Sequence, residues 1–216
     1  MFSKKKVILS FILALCFILA CTASGFGQSF FPKKDLVFTQ VFAGPLEGTS
    51  YFASITVTNQ GTLTYNGTMY FLTGAAGSAW NPSVNQDAVT NGSIDVVLGP
   101  DETKSFLITD SIFTVGYVYF KRDSISLDNH IEGNLAYFSV NGSTLMDAVG
   151  VPESREFLIT SLPFDYYTDI GLALAHPDLT NAGPAEVSVI LFDEDNTAVA
   201  NCLFTLDPGE HYSAYL

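Results

Sequence analysis

Tyr51, Ala53, Ile55 and Val57 alternate with Phe52, Ser54, Thr56 and Thr58. A period of two places one set on each face of an extended segment, so this stretch predicts a half-buried strand. Thr68-Met69-Tyr70-Phe71-Leu72 is apolar on both faces, the pattern of a strand in the middle of a sandwich. Further strands are expected at Ile94 to Leu98, Ser105 to Ile108, Val115 to Lys121, Leu135 to Val140 and Glu156 to Thr160. A last group falls at Ile170 to Ala175, Val187 to Phe192, Val199 to Leu206 and Tyr212 to Leu216. β-branched and aromatic residues dominate these runs. No window of useful length shows a 3.6-residue period bounded by caps, so the body is expected to contain no helix.

Turn chemistry punctuates the runs. Asn66-Gly67, Asn91-Gly92 and Asn141-Gly142 supply residues that accept positive φ, as tight hairpins require. Gly99-Pro100-Asp101 and Asp207-Pro208-Gly209 mark two further turns. Many short strands separated by turns indicate an all-β sandwich or barrel. The ten residues from Leu98 to Leu107 also resemble those from Leu206 to Tyr215, about 110 positions later. Each copy lies downstream of an alternating strand. A repeat at this spacing matches the ~100 residues of an immunoglobulin-like sandwich and suggests duplication of one unit.

The first residues read as a targeting segment. Lys4, Lys5 and Lys6 precede Val7 to Ala20, an uncharged run of 14 residues that is short for a bilayer span. Ile18-Leu19-Ala20-Cys21 resembles a lipobox, which would make Cys21 a lipidated first residue. The other processing route removes residues 1–27 as a signal peptide and starts the mature chain at Gln28. An uncleaved anchor is the third route. The expected organisation is a signal peptide at 1–27, a short linker at 28–36, a first β-sandwich half at 37–125 and a second at 126–216. The boundary falls near Asp123 to Asn129.

Charge narrows the partners. The chain carries 9 Lys+Arg and 22 Asp+Glu; three of the cations and none of the anions lie in residues 1–27, leaving a net charge of −16 beyond them. Such a surface repels phosphate backbones and anionic headgroups, so neither nucleic acid nor direct membrane docking is expected. Membrane association would come only through the signal peptide or a lipid anchor. Cys16 and Cys21 lie in the signal region, so a chain starting at Gln28 holds Cys202 alone and forms no internal disulfide. Cys202, within the apolar run Ala198 to Leu206, reads as a buried small hydrophobe.

Candidate chemistry is thin. Asp193, Asp195 and Asn196, with Glu194, offer oxygen ligands for Ca²⁺, without the spacing or Gly of an EF-hand; a solvated acidic turn fits the same residues. No other cofactor is indicated. His130, His176 and His211 show no paired metal-ligand spacing. There is no G-x-S-x-G elbow and no phosphate loop. Paired carboxylates for sugar hydrolysis are assembled by a fold and leave no sequence signature. Trp80, Tyr166 and Tyr167 are the ligand-contact candidates, since aromatics on a β-sandwich stack on sugars or anchor a protein partner. Trp80 also fits a plug at the core edge. Asn81 to Gly92 is long and polar, the best candidate for a functional loop.

The stretch Thr168-Asp169-Ile170-Gly171-Leu172-Ala173-Leu174-Ala175-His176-Pro177 resembles the "tGiAlaNP" strand of an immunoglobulin-like module found in bacterial secreted and surface proteins. The acidic turn Asp193-Glu194-Asp195-Asn196 and the closing Leu206-Asp207-Pro208-Gly209-Glu210-His211 continue the likeness, and Ala148 to Ser154 resembles its "aGVP-S" connector. His176 departs from the pattern, which has Asn there, and the pattern usually runs on past the strand at Leu216. The resemblance implies two immunoglobulin-like β-sandwich halves in tandem in an extracytoplasmic setting, and it carries no catalytic residues. The expected function is a non-enzymatic structural or adhesive module at the cell exterior. A carbohydrate- or envelope-protein-binding module is the alternative, and an exported hydrolase comes last.

Overall fold

A computed structural model describes residues 35–74, 77–123, 131–152, 171–177 and 183–215. Among them the chain is all-β. The long strands are β1 (Leu36–Leu46), β2 (Thr49–Asn59) and β3 (Tyr65–Thr73). Three two-residue strands follow: β4 (Ser78–Ala79), β5 (Ser83–Val84) and β6 (Asp87–Ala88). Then come β7 (Ser93–Leu98), β8 (Thr103–Thr109), β9 (Thr114–Arg122), β10 (Ile131–Asn141) and β11 (Thr144–Pro152). The C-terminal strands are β12 (Gly171–Ala175), β13 (Ala185–Phe192), β14 (Ala198–Leu206) and β15 (His211–Tyr215). The expected strand Glu156 to Thr160 and the targeting segment lie outside the described residues.

β1 joins two layers. Its first part pairs with β9 from Leu36 to Ala43, with a register shift between Phe38 and Val41. Its last residues, Gly44 to Leu46, pair with β2 instead. On one side of that crossing, β9 pairs with β3, and β3 with β7. On the other, β2 lies between β8 and β10, and β10 continues to β11. All of these pairings are antiparallel. β10 follows residue 126 in sequence, and it is registered on β2 from Ile131↔Asn59 to Val140↔Ser50.

The alternation seen in the sequence explains the core. Ala53, Ile55 and Val57 face inward with exposures of 0%. They meet Leu36, Phe38 and Val41 of β1, Met69 and Phe71 of β3, Phe106 and Ile108 of β8, and Val118 and Phe120 of β9. Burying such side chains stabilises each layer on the other by roughly 1.5–3 kcal/mol per large side chain. The opposite face of β2 is polar and cross-linked to β8, where Thr56 bonds Ser105 at 3.1 Å and Thr58 bonds Thr103 at 2.9 Å.

Four expectations are corrected. Asn66-Gly67 is not a turn but lies within β3. A Cβ at Gly67 would stand 2.5 Å from the Lys121 carbonyl and 2.6 Å from the Tyr65 hydroxyl, so glycine is required by the close approach of β9. Ala148 to Pro152, read as part of a connector, belongs to β11. β1 breaks its own alternation where it bulges and had no counterpart in the strand reading. Cys202 is exposed rather than buried, because the β13–β14 hairpin is open to solvent at that position. The turns at Asn91-Gly92 and Asn141-Gly142 form as expected.

Candidate functional site

The end of the molecule where β1 crosses between layers carries a cluster of aromatic rings. Phe42 of β1 stacks on Tyr137 of β10, with centroids 4.3 Å apart and planes at 3°. Tyr51 of β2 meets Phe42 edge-on at 5.9 Å, and Phe113 meets Tyr51 edge-on at 5.7 Å. All four are half-buried. The Tyr137 hydroxyl donates to the Gln40 carbonyl, and burial pushes that phenol well above its ordinary pKa. The rings therefore form a fixed, partly open apolar surface. Apolar bodies of this kind pack on sugar rings or on a protein partner.

Phe113 reaches the cluster from the loop between β8 and β9, and Asp110 holds that loop. Its carboxylate accepts from the Ser111 amide at 2.6 Å, the Thr114 hydroxyl at 3.1 Å and the Trp80 indole N–H at 2.7 Å. Burial works to raise the Asp110 pKa, but these hydrogen bonds, with that of the Ile112 amide, win and hold it below the ordinary value. Gly44 completes the seat. Its φ is +111°, and a Cβ there would collide with the Ile112 carbonyl.

Trp80 thus sits inside the molecule. It is 4% exposed and meets Phe71 edge-on at 6.3 Å. Its ring plugs the core and its N–H positions Asp110, so it presents no open stacking face. Tyr166, Tyr167 and Cys21 lie outside the described residues. Asp193, Asp195 and Asn196 are exposed. The Asp193 carboxylate accepts from the Asp195 amide at 3.0 Å and the Thr197 amide at 2.8 Å, which closes the turn between β13 and β14. Among the described residues no three His, Cys, Asp or Glu side chains gather in a group suited to a metal ion. The aromatic cluster had only Tyr51 in a strand read from the sequence for its alternation. Its other members come from two distant strands and a loop, and no local pattern marks them.

The repeated turns are alike in detail. Glu102 accepts from the Gly99 amide at 2.6 Å, and Glu210 from the Asp207 amide at 2.8 Å. The Glu102 carbonyl accepts from the Asn59 amide at 2.9 Å, and the Glu210 carbonyl from the His176 amide at 2.9 Å. Asn59 ends β2, which pairs with β8; His176 follows β12, which pairs with β15. In the same way β3 pairs with β7, and β13 with β14.

A second feature is the apolar exposure of the later strands. Leu145, Met146, Val149 and Val151 of β11 are exposed, as are Ile190 and Phe192 of β13 and Val199 and Leu203 of β14. No family model matches the chain, and no curated protein or solved structure is significantly similar to it.

Proposed function

We propose that this chain is an exported, non-enzymatic module of the cell exterior, built from two immunoglobulin-like units in tandem and acting through contact surfaces. The observation that carries this reading is the exposed apolar character of β11, β13 and β14. Exposed apolar side chains concentrated on a few strands of a strongly acidic protein favour a contact role, since charge keeps the rest of the molecule soluble. The matched hydrogen bonding of the Glu102 and Glu210 turns supports the tandem arrangement. The lysine-led apolar segment at the N-terminus supports export, with residues 1–27 removed or Cys21 lipidated.

A second reading, recognition of a carbohydrate or an envelope protein, is favoured by the half-open cluster of Phe42, Tyr51, Phe113 and Tyr137. One experiment separates the two. Residues 28–216 are incubated with purified envelope polysaccharide and with protease-treated and untreated envelope fractions, and retention is measured for wild type, Leu203→Ser and Tyr51→Ala. The first reading expects loss with Leu203→Ser. The second expects loss with Tyr51→Ala. Retention unchanged in both variants, together with turnover on glycan substrates, would overturn both in favour of an exported hydrolase.

A further inference from the structure

We infer that the β12–β15 strand pair is an acid-released clasp on the β1–β9 face of the main body, with His211 as its trigger. β15 begins at His211, whose ring lies over that of Tyr117 with centroids 5.9 Å apart and planes at 29°. Tyr117, on β9, is fully buried, and its hydroxyl donates to the Gly209 carbonyl at 2.9 Å. Tyr117 thus gives the clasp one ring contact and one hydrogen bond, and the Thr39 main chain of β1 gives the His211 ring another.

The His211 ring has a weakness in this position. Its Nε2 is enclosed and has no hydrogen-bond partner. In the neutral imidazole that nitrogen is a bare acceptor, whose burial is a modest cost. In the imidazolium it becomes a charged donor in the same enclosed place, which is far less favourable. Among the neighbours only the Thr39 main chain favours the charged ring, and burial outweighs it. From β9 the ring meets Tyr117, whose phenol burial pushes up to about 12 and keeps neutral. Farther along β9, Tyr119 is held by Asp35 at 2.8 Å. From β1 the contact is the main chain of Thr39. Within the turn before β15, Glu210 accepts from the Asp207 amide. Beyond β12, the ring of His176 is bonded to the Gly183 carbonyl. No ion pair engages His211 among the described residues.

Burial accordingly draws the His211 imidazole below its ordinary value of 6.5, against a hydrogen bond with the Thr39 main chain that works the other way. Above pH 6.5 the seated and released forms are both neutral, and acidity has no effect. As pH falls through 6.5 the released form takes up the proton first, so release becomes easier. One pH unit lower, the ceiling on this effect is about tenfold in the release constant.

Amide hydrogen exchange on the full chain tests this at pH 7.5 and 5.5, with exposure times matched for intrinsic rate. Protection in β12 and β15 should fall by up to about tenfold at the lower pH, while β3 and β9 stay unchanged. His211→Gln should abolish the step and His176→Gln should keep it. If His211→Gln fails to seat at either pH, Tyr117→Phe decides. That variant lacks the Gly209 bond but keeps His211, so it should release more readily at both pH values with the step intact. No step in wild type, the same step in His211→Gln, a step that follows His176, or none in Tyr117→Phe would each overturn the inference.

Discussion

Asn59 is the residue whose removal should hurt most for its size. Among the described residues it is one of two buried polar or charged ones, with an exposure of 0%. Its amide donates to the Leu63 carbonyl at 2.8 Å, the Leu98 carbonyl at 3.2 Å and the Gly99 carbonyl at 2.9 Å. Its Oδ1 accepts from the Gly61 amide at 2.9 Å. One side chain thus ties the end of β2 to the start of the next loop and to the turn between β7 and β8. Each such bond contributes about 0.5–1.5 kcal/mol net, and an orphaned buried partner costs about 1–3 kcal/mol. Asn59→Ala removes all four at once. Water entering the truncated site recovers some of them, so the expected loss is about 3–4 kcal/mol. For a chain of this size, that is a fall in Tm of roughly 6–16 °C. Asn59→Asp should be no better, because it sets a carboxylate against three carbonyl oxygens. Urea unfolding followed by circular dichroism measures the loss, with an unchanged m-value as the check that both proteins unfold the same way. A loss below about 1 kcal/mol for Asn59→Ala would refute the reasoning, since it would mean the four bonds are worth no more than one. The counterpart position is the control: the His176 side chain has one exposed contact, so His176→Ala should cost under about 1 kcal/mol.

Trp80→Phe keeps the ring against Phe71 but removes the bond to Asp110; about 1–3 kcal/mol should be lost by urea unfolding, because the acceptor is a charged carboxylate. The Asp110 pKa is held below its ordinary 3.8, so its contribution is complete above that pH and lost as pH falls through the lowered value. Acid unfolding of Asp110→Asn should therefore lack a phase of destabilisation below about pH 4 that wild type shows. Gly67→Ala forces β3 and β9 apart and should cost about 3 kcal/mol, read as a lower urea midpoint. Cys202 should react fully with a thiol reagent in the native state, without denaturant.

The parts of the fold legible in the sequence were those where a strand keeps one face to the core along its whole length. β2 does so from Ala53 to Val57, and its period is plain. β1 was not legible because it changes layers: Phe38 and Val41 both face the core with a bulge between them, which breaks the period. β11 was not legible because its residues from Thr144 to Val151 are exposed, so burial imposes no pattern on them. Gly67 misled because the same dipeptide serves a turn or a close strand approach, and only the position of Lys121 distinguishes them. At the site, the turn chemistry of Asp193 was readable locally. The stacking of Phe42 on Tyr137 was not, since it depends on a contact between strands 95 positions apart in the chain. Trp80 could be recognised as important, but its bond to Asp110 could not.

The crossing of β1 between layers has a consequence for the order in which the chain acquires its shape. A chain that emerges N-terminus first makes β1 and β2 early, and their short pairing at Gly44 to Leu46 forms at once. The longer partner, β9, is complete only at Arg122. At 5–20 residues per second, the wait from the end of β1 is roughly 4–15 s. Through that interval the apolar edge of Leu36 to Ala43 has no strand beside it. One of the earliest segments of the fold thus waits for a partner made about 70 residues later, and its fate until then rests on whatever else binds an unpaired strand.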